Sequence, residues 1–173
     1  MQPETEERAR IGLVCELLRQ FGALRFRAQG SSMIPSIYPG DILSVRQAAI
    51  HEVRCGDVVL YLREAGLCAH RVVRVQANGG QYSLVTRGDA LLQDDSPVHK
   101  EELLGRVVSV ARGVQQARLR GGRPQKRLLV MRWCVRRSNG LAKALLHLNA
   151  LRLQGRGKLP GRIFSRLLLG IAS

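Results

Sequence analysis

Asp57-Val58-Val59-Leu60-Tyr61-Leu62 and, four residues further on, Leu67-Cys68-Ala69-His70-Arg71-Val72-Val73-Arg74-Val75 decide the fold class of this chain. Both runs are rich in the branched and aromatic residues that suit a pleated, half-buried surface. Working outward, Ile42 to Val45, Tyr82 to Thr86 and Leu104 to Ala111 repeat the pattern, with Gly, Pro and Asp as punctuation between them. The expectation from Leu24 to about Arg112 is a compact, mainly antiparallel β domain. Ahead of it, Pro3, acids in the first turn, and Ile11, Val14, Leu17, Leu18 and Phe21 at three-to-four spacing predict an amphipathic helix. That helix closes near Gly22 and covers one face of the β domain. Beyond it, Gly121-Gly122-Arg123-Pro124 reads as a linker, and Lys126 to Leu153 and Arg162 to Ala172 read as basic helical segments, broken at Gly155 to Gly161. The division is therefore 1–22 for the amphipathic helix, 23–112 for the β domain and 113–173 for a basic helical tail.

At 173 residues and 45% apolar content the chain supports one domain with a real core. Its charge is uneven. The 28 Lys and Arg outnumber 13 Asp and Glu, yet no acid follows Glu102 and fifteen of the cations lie from Arg112 onward, so the first two thirds is neutral. Cys15, Cys55, Cys68 and Cys134 are too far apart for a zinc knuckle or redox motif and are expected as buried, reduced thiols. No metal or cofactor is implied. Glu4, Glu6 and Glu7 open the chain where a secretion signal would need a basic start, and Arg or Lys interrupts every apolar stretch before it reaches a spanning length.

Four patches carry candidate chemistry: Gly30-Ser31-Ser32-Met33-Ile34-Pro35 running on to Pro39-Gly40-Asp41, then Gly56-Asp57-Val58-Val59, then His70-Arg71-Val72-Val73, then Gly88-Asp89 through Asp94-Asp95. Taken singly, Ser31 and Ser32 read as caps of a helical turn, His70 as a core histidine, and the Gly-Asp pairs as turns. In this order and with these gaps, over residues 24 to 112, they resemble the signal peptidase I family. The resemblance implies the β fold shared with the LexA-type repressors and a serine endopeptidase with Ser32 as nucleophile. A serine hydroxyl needs a base within hydrogen-bond reach. Most bacterial members use a lysine, but the first lysine here is Lys100, beyond all four patches. The base position, at the start of a strand ending in Arg-Val, falls on His70, as in the Ser and His branch found in archaea and the endoplasmic reticulum. An imidazole suits that role because its ordinary pKa, about 6.5, is near working pH.

The resemblance puts the relay carboxylate at Asp95, six residues after Asp89, with Asp89 the competing candidate, which could instead hold the loop. Where some members carry an assisting serine, this chain has Gly30, leaving backbone N–H groups around Ser32, and secondarily Ser31, as oxyanion donors. Met33, Ile34, Pro35 and Tyr38 are expected as the apolar floor beside the nucleophile. The expected substrate is a peptide or preprotein cut at a signal or leader segment. The amphipathic opening helix departs from the family's usual membrane anchor. The basic tail, with Leu128, Leu129, Val130, Met131, Trp133, Leu141, Leu145 and Leu148 among Arg132, Arg136, Arg137 and Lys143, is expected to lie on an anionic membrane surface, at its cytoplasmic face. Nucleic acid is the lesser candidate for those cations. Two other readings stand beside the peptidase: a LexA-like regulatory module, which would pair Ser with Lys, and a non-catalytic scaffold.

Overall fold

A computed structural model describes residues 3–63, 66–113, 115–118, 133–134 and 137–154. It is mainly antiparallel β, with a helix before the sheet and a helix after it. Helix α1, Pro3–Phe21, leads into β1, Ala23–Arg27, and β2, Ile42–Arg46; then come β3, Val58–Arg63, β4, Gly66–Asn78, β5, Gln81–Arg87, β6, Leu103–Arg112, and β7, Gln115–Arg118. Helix α2, Asn139–Gln154, follows. The strands form one sheet in the order β1-β2-β6-β3-β4-β5, with β7 on the outer stretch of β6. Every predicted strand is present. Gly22, at φ +66°, ends α1 in the left-handed conformation that glycine adopts without steric cost.

Strand β3 explains why the core has two halves. Successive strand side chains point to opposite faces. Val58 and Leu60 therefore join Leu18, Met33, Ile37, Leu43 and Val107 on one side, where α1 lies. Val59 and Tyr61 join Val53, Val72, Leu84 and Val98 on the other. With a cover on each face, Val58 to Tyr61 are all buried. Within the expected apolar stripe of α1, Leu18 is buried and Val14 partly so, but Phe21, the last residue of the helix, is 48% exposed.

Strands β4 and β5 are joined through Gly79 and Gly80, both at positive φ, the two-residue turn that matches strand twist. Strands β1 and β7 were not marked by the sequence pattern. Their sequences are short, and Gln-Gln-Ala-Arg is mostly polar while Ala-Leu-Arg-Phe-Arg carries two arginines. The four thiols are free, but they are not buried: Cys55 is exposed on the turn ahead of β3, and Cys15, Cys68 and Cys134 are half-buried. The Gly121–Pro124 linker, Leu128 to Arg132, Arg136, and the Gly155 to Ala172 segments lie outside the described residues.

Candidate active site

The site forms where the loop between β1 and β2 meets the middle of β4. That loop is closed at its base by reciprocal backbone bonds, Ala28 N–H to Asp41 O and Gly40 N–H to Ala28 O, each 2.8 Å. Inside it, Ser32 enters a single helical turn, with Ser36 and Ile37 N–H both donating to Met33 O at 2.9 Å. The turn lifts the Ser32 hydroxyl toward the sheet. His70 meets it there: Nε2 lies 2.9 Å from Ser32 Oγ, and Nδ1 lies 2.7 Å from Asp95 Oδ2.

Strand register assembles the rest. Residues directly opposite on antiparallel strands share a face. His70 pairs with Val59, so it shares a face with Val59 and Tyr61; Val72 pairs with Thr86, which adds Thr86 to that face. Asp95 is delivered from the far end of the last Gly-Asp loop, where its N–H donates to Thr86 O at 2.8 Å. The Tyr61 hydroxyl donates to Asp95 Oδ2 at 3.0 Å and lies 3.2 Å from His70 Nδ1; the Thr86 hydroxyl donates to the same Oδ2 at 2.7 Å. Burial pushes the Tyr61 phenol well above its ordinary range, with the neighbouring Asp95 charge adding to the rise, so it stays a neutral donor. An acceptor-only carboxylate at 2.7 Å favours the tautomer with hydrogen on Nδ1. The Nε2 lone pair then faces the Ser32 hydroxyl, an arrangement able to take a proton from the alcohol. The His70 and Asp95 side chains are only 11% and 21% exposed.

The remaining Gly-Asp aspartates do other work. Asp41, Asp57 and Asp89 are each at most 3% exposed, and each meets an arginine. Arg112 binds Asp41 through Nε and Nη2 at 2.8 and 2.6 Å, and its guanidinium lies 4.3 Å over the Tyr38 ring. The hydrogen bonds to Asp41 hold Arg112 above its ordinary pKa. Asp57 accepts from Arg54 N–H at 2.9 Å, with Arg106 Nη1 at 3.4 Å. Arg71, next to His70 in β4, forks onto Asp89 with bonds of 2.9 and 2.8 Å, and Ser36 Oγ also donates to that carboxylate. The fork fixes β4, the Gly88-Asp89 loop and the Ser32 turn to one another. Gly88 is required for the same approach: a Cβ there would lie 2.7 Å from Ser32 O, which accepts Ala90 N–H at 2.8 Å.

Beside Ser32 and His70 runs a cleft of about 290 Å³, floored by Met33, Ile37, Leu43, Leu60, Leu67 and Ala69, with Gly30 and Arg27 among its other lining residues. Among the described residues, β1 pairs only with β2, and the Gly66 to His70 half of β4 pairs only with β3. Open strand edges thus flank the cleft.

Ser32, His70 and Asp95 are brought together, while Asp89 is held by Arg71 and Ser36. Gly30 and Met33 line the cleft; Ser31 is exposed and Pro35 buried, both outside its lining. Ile34 and Tyr38 do not form the expected floor. A helical turn sends neighbours to different sides, and these two face away, packed with Ala90, Leu145 and Leu146. The sequence reading missed Tyr61, Thr86, Arg71, Ser36 and Arg112. Only cross-strand register could have found the first two. Among the described residues, no three His, Cys, Asp or Glu side chains gather as metal ligands, and no helix is long and apolar enough to cross a membrane.

Residues 3–108 match the Peptidase S24-like family. The chain belongs to that family. It is also similar to the signal peptidase complex catalytic subunit SEC11 of Fusarium vanettenii, at 32% identity over 89 residues, which is 45% of this chain and 52% of that protein. The chain thus spans about half the length of that relative. Both likenesses are to peptidases, and the second is to a signal peptidase subunit.

Proposed function

We propose that this chain is a serine endopeptidase that cuts signal or leader segments of peptides through an acyl-enzyme. Ser32 is the nucleophile, His70 the general base and then the general acid, and Asp95 the residue that orients His70 and stabilises its imidazolium. The observation carrying this reading is the continuous line from Asp95 Oδ2 through His70 to Ser32 Oγ, with contacts of 2.7 and 2.9 Å. Tyr61 and Thr86 hold the carboxylate, and Asp89 with Arg71 holds the loops in place.

The substrate is an extended peptide. An added strand can satisfy the open backbone groups of β1 and of Gly66 to His70, while the apolar floor accepts alternate side chains. As the Ser32 oxygen attacks the scissile carbonyl, His70 Nε2 takes its proton and backbone N–H groups around Ser32 receive the oxyanion. Return of that proton to the departing amine leaves an ester on Ser32, which water cleaves by the same relay run again. A fluorophosphonate probe tests the reading: labelling of the native chain, lost in both Ser32→Ala and His70→Ala, is expected. Labelling that survives Ser32→Ala removes the nucleophile.

The family match favours a second reading, a LexA-like module that cleaves itself to change a regulatory state. The chemistry of that class pairs Ser with Lys. Lys100 is the first lysine of the chain, and its side chain is 75% exposed beside Glu101, which argues against it. Incubation of the purified chain, followed by mass spectrometry, separates the two: self-cleavage at one bond supports the second reading.

A further inference from the structure

Among the described residues, helix α2 is seated on the body by one side. Leu145 and Leu146 pack against Ile34 and Tyr38, and Asn149 Nδ2 donates to Pro39 O at 3.0 Å. Leu141, Ala144, Leu148 and Leu151 recur at spacings of three, four and three, which places them on one stripe of the helix. All four face solvent, Leu148 at 62% exposure and Leu151 at 51%. Just ahead of the helix Trp133 is 62% exposed, with the Arg137 guanidinium 5.9 Å from its ring. Lys143 and His147, also exposed, border the stripe.

Two features together narrow what could cover this face. The helix contains no acid, no acid follows Glu102, and fourteen Lys and Arg follow Arg112, which is itself taken up by Asp41; of these, Arg137 and Lys143 lie exposed beside the stripe. Cations alone serve a nucleic-acid backbone, which gains nothing from leucines. A neutral apolar partner would cover the leucines but leave the cations unopposed. An anionic bilayer matches both, taking leucines into the acyl boundary, the indole at headgroup depth and cations against lipid phosphates.

We propose that the outer face of α2 docks on an anionic lipid bilayer, with Leu148 and Leu151 as its central apolar contacts. The inner face of the same helix rests on Ile34 and Tyr38 of the loop that carries Ser32, on the side away from the cleft. This inference does not depend on the peptidase reading.

The test is co-sedimentation of the full chain with vesicles of phosphatidylcholine alone or mixed with phosphatidylserine. Binding to the mixed vesicles at least tenfold stronger than to the neutral ones is expected, with loss of at least tenfold in Leu148→Glu/Leu151→Glu. The variant touches neither the core nor the cleft, and an unchanged thermal midpoint and unchanged Ser32 labelling by the fluorophosphonate show that it is folded. Equal sedimentation of variant and native chain overturns the proposal. So does absence of binding to mixed vesicles, whether the native chain instead binds a DNA oligonucleotide or forms a dimer that the double substitution dissolves.

Discussion

Asp89 and Asp95 stand six residues apart on one loop and illustrate two uses of the same side chain. Asp89 is 1% exposed and is gripped by the fork of Arg71 and by Ser36. Asp95, with its side chain 21% exposed, faces the His70 imidazole. A carboxylate against a permanent cation in the interior fixes geometry, and its energy cannot be drawn on during a reaction. A carboxylate against an imidazole is worth more when the imidazole is charged, so its stabilisation grows as a proton arrives. Among the described residues, the first kind stands at three places around the loop bases and the second kind at one.

The largest effect that would break this contrast is Asp95→Asn. It is expected to lower kcat/KM on a cleavable peptide by about 10⁴-fold, through loss of the correct tautomer. The urea unfolding midpoint should move little. A large stability loss with nearly intact turnover would reverse the two roles. Arg71→Met probes the other side: leaving Asp89 buried without its cation is expected to cost about 3 kcal/mol in urea unfolding. Adding Asp89→Leu should recover most of that loss, while fluorophosphonate labelling of the folded fraction stays within about threefold of native.

Tyr61→Phe sharpens the comparison, because the Tyr61 hydroxyl donates to Asp95. Without that donor the Asp95 carboxylate is less firmly held, and kcat/KM should fall by about fivefold, the worth of one hydrogen bond. The same variant reports on stability. Burial raises the Tyr61 phenol above its ordinary 10.0 in the folded state, so its contribution is complete below that pH and is lost as pH rises beyond it. The native chain should therefore lose thermal midpoint more steeply than Tyr61→Phe above pH 10. The smallest effect is expected of Gly30→Ser. A Cβ at Gly30 meets nothing within 4 Å, so a hydroxyl is accommodated two residues before Ser32, and a rise in kcat of about threefold would mark it as an added oxyanion donor.

The sequence was most informative where chemistry and local pattern coincide. The five strand runs announced themselves by composition, and His70 stood out because no lysine precedes Lys100. Asp95 was reached only through the family resemblance, which carries positions along a loop without knowledge of pairing and left Asp89 as the alternative. Tyr61 and Thr86 were not legible, since each is an ordinary strand residue until register sets Val59 against His70 and Val72 against Thr86. Ile34 and Tyr38 were misplaced for a related reason. Closeness to Ser32 along the chain does not say which side of a helical turn a residue faces. Arg112 was read as the margin of the β domain, yet it reaches back 71 positions to Asp41.

Gly88 has an implication for how this chain tolerates change. Its missing methyl group is the clearance between two loops, one bearing the alcohol and the other leading to the carboxylate. Any side chain there would wedge against the Ser32 carbonyl and the Leu91 side chain, so the two loops would have to part. Substitution at position 88 is therefore felt first at the seam between those loops.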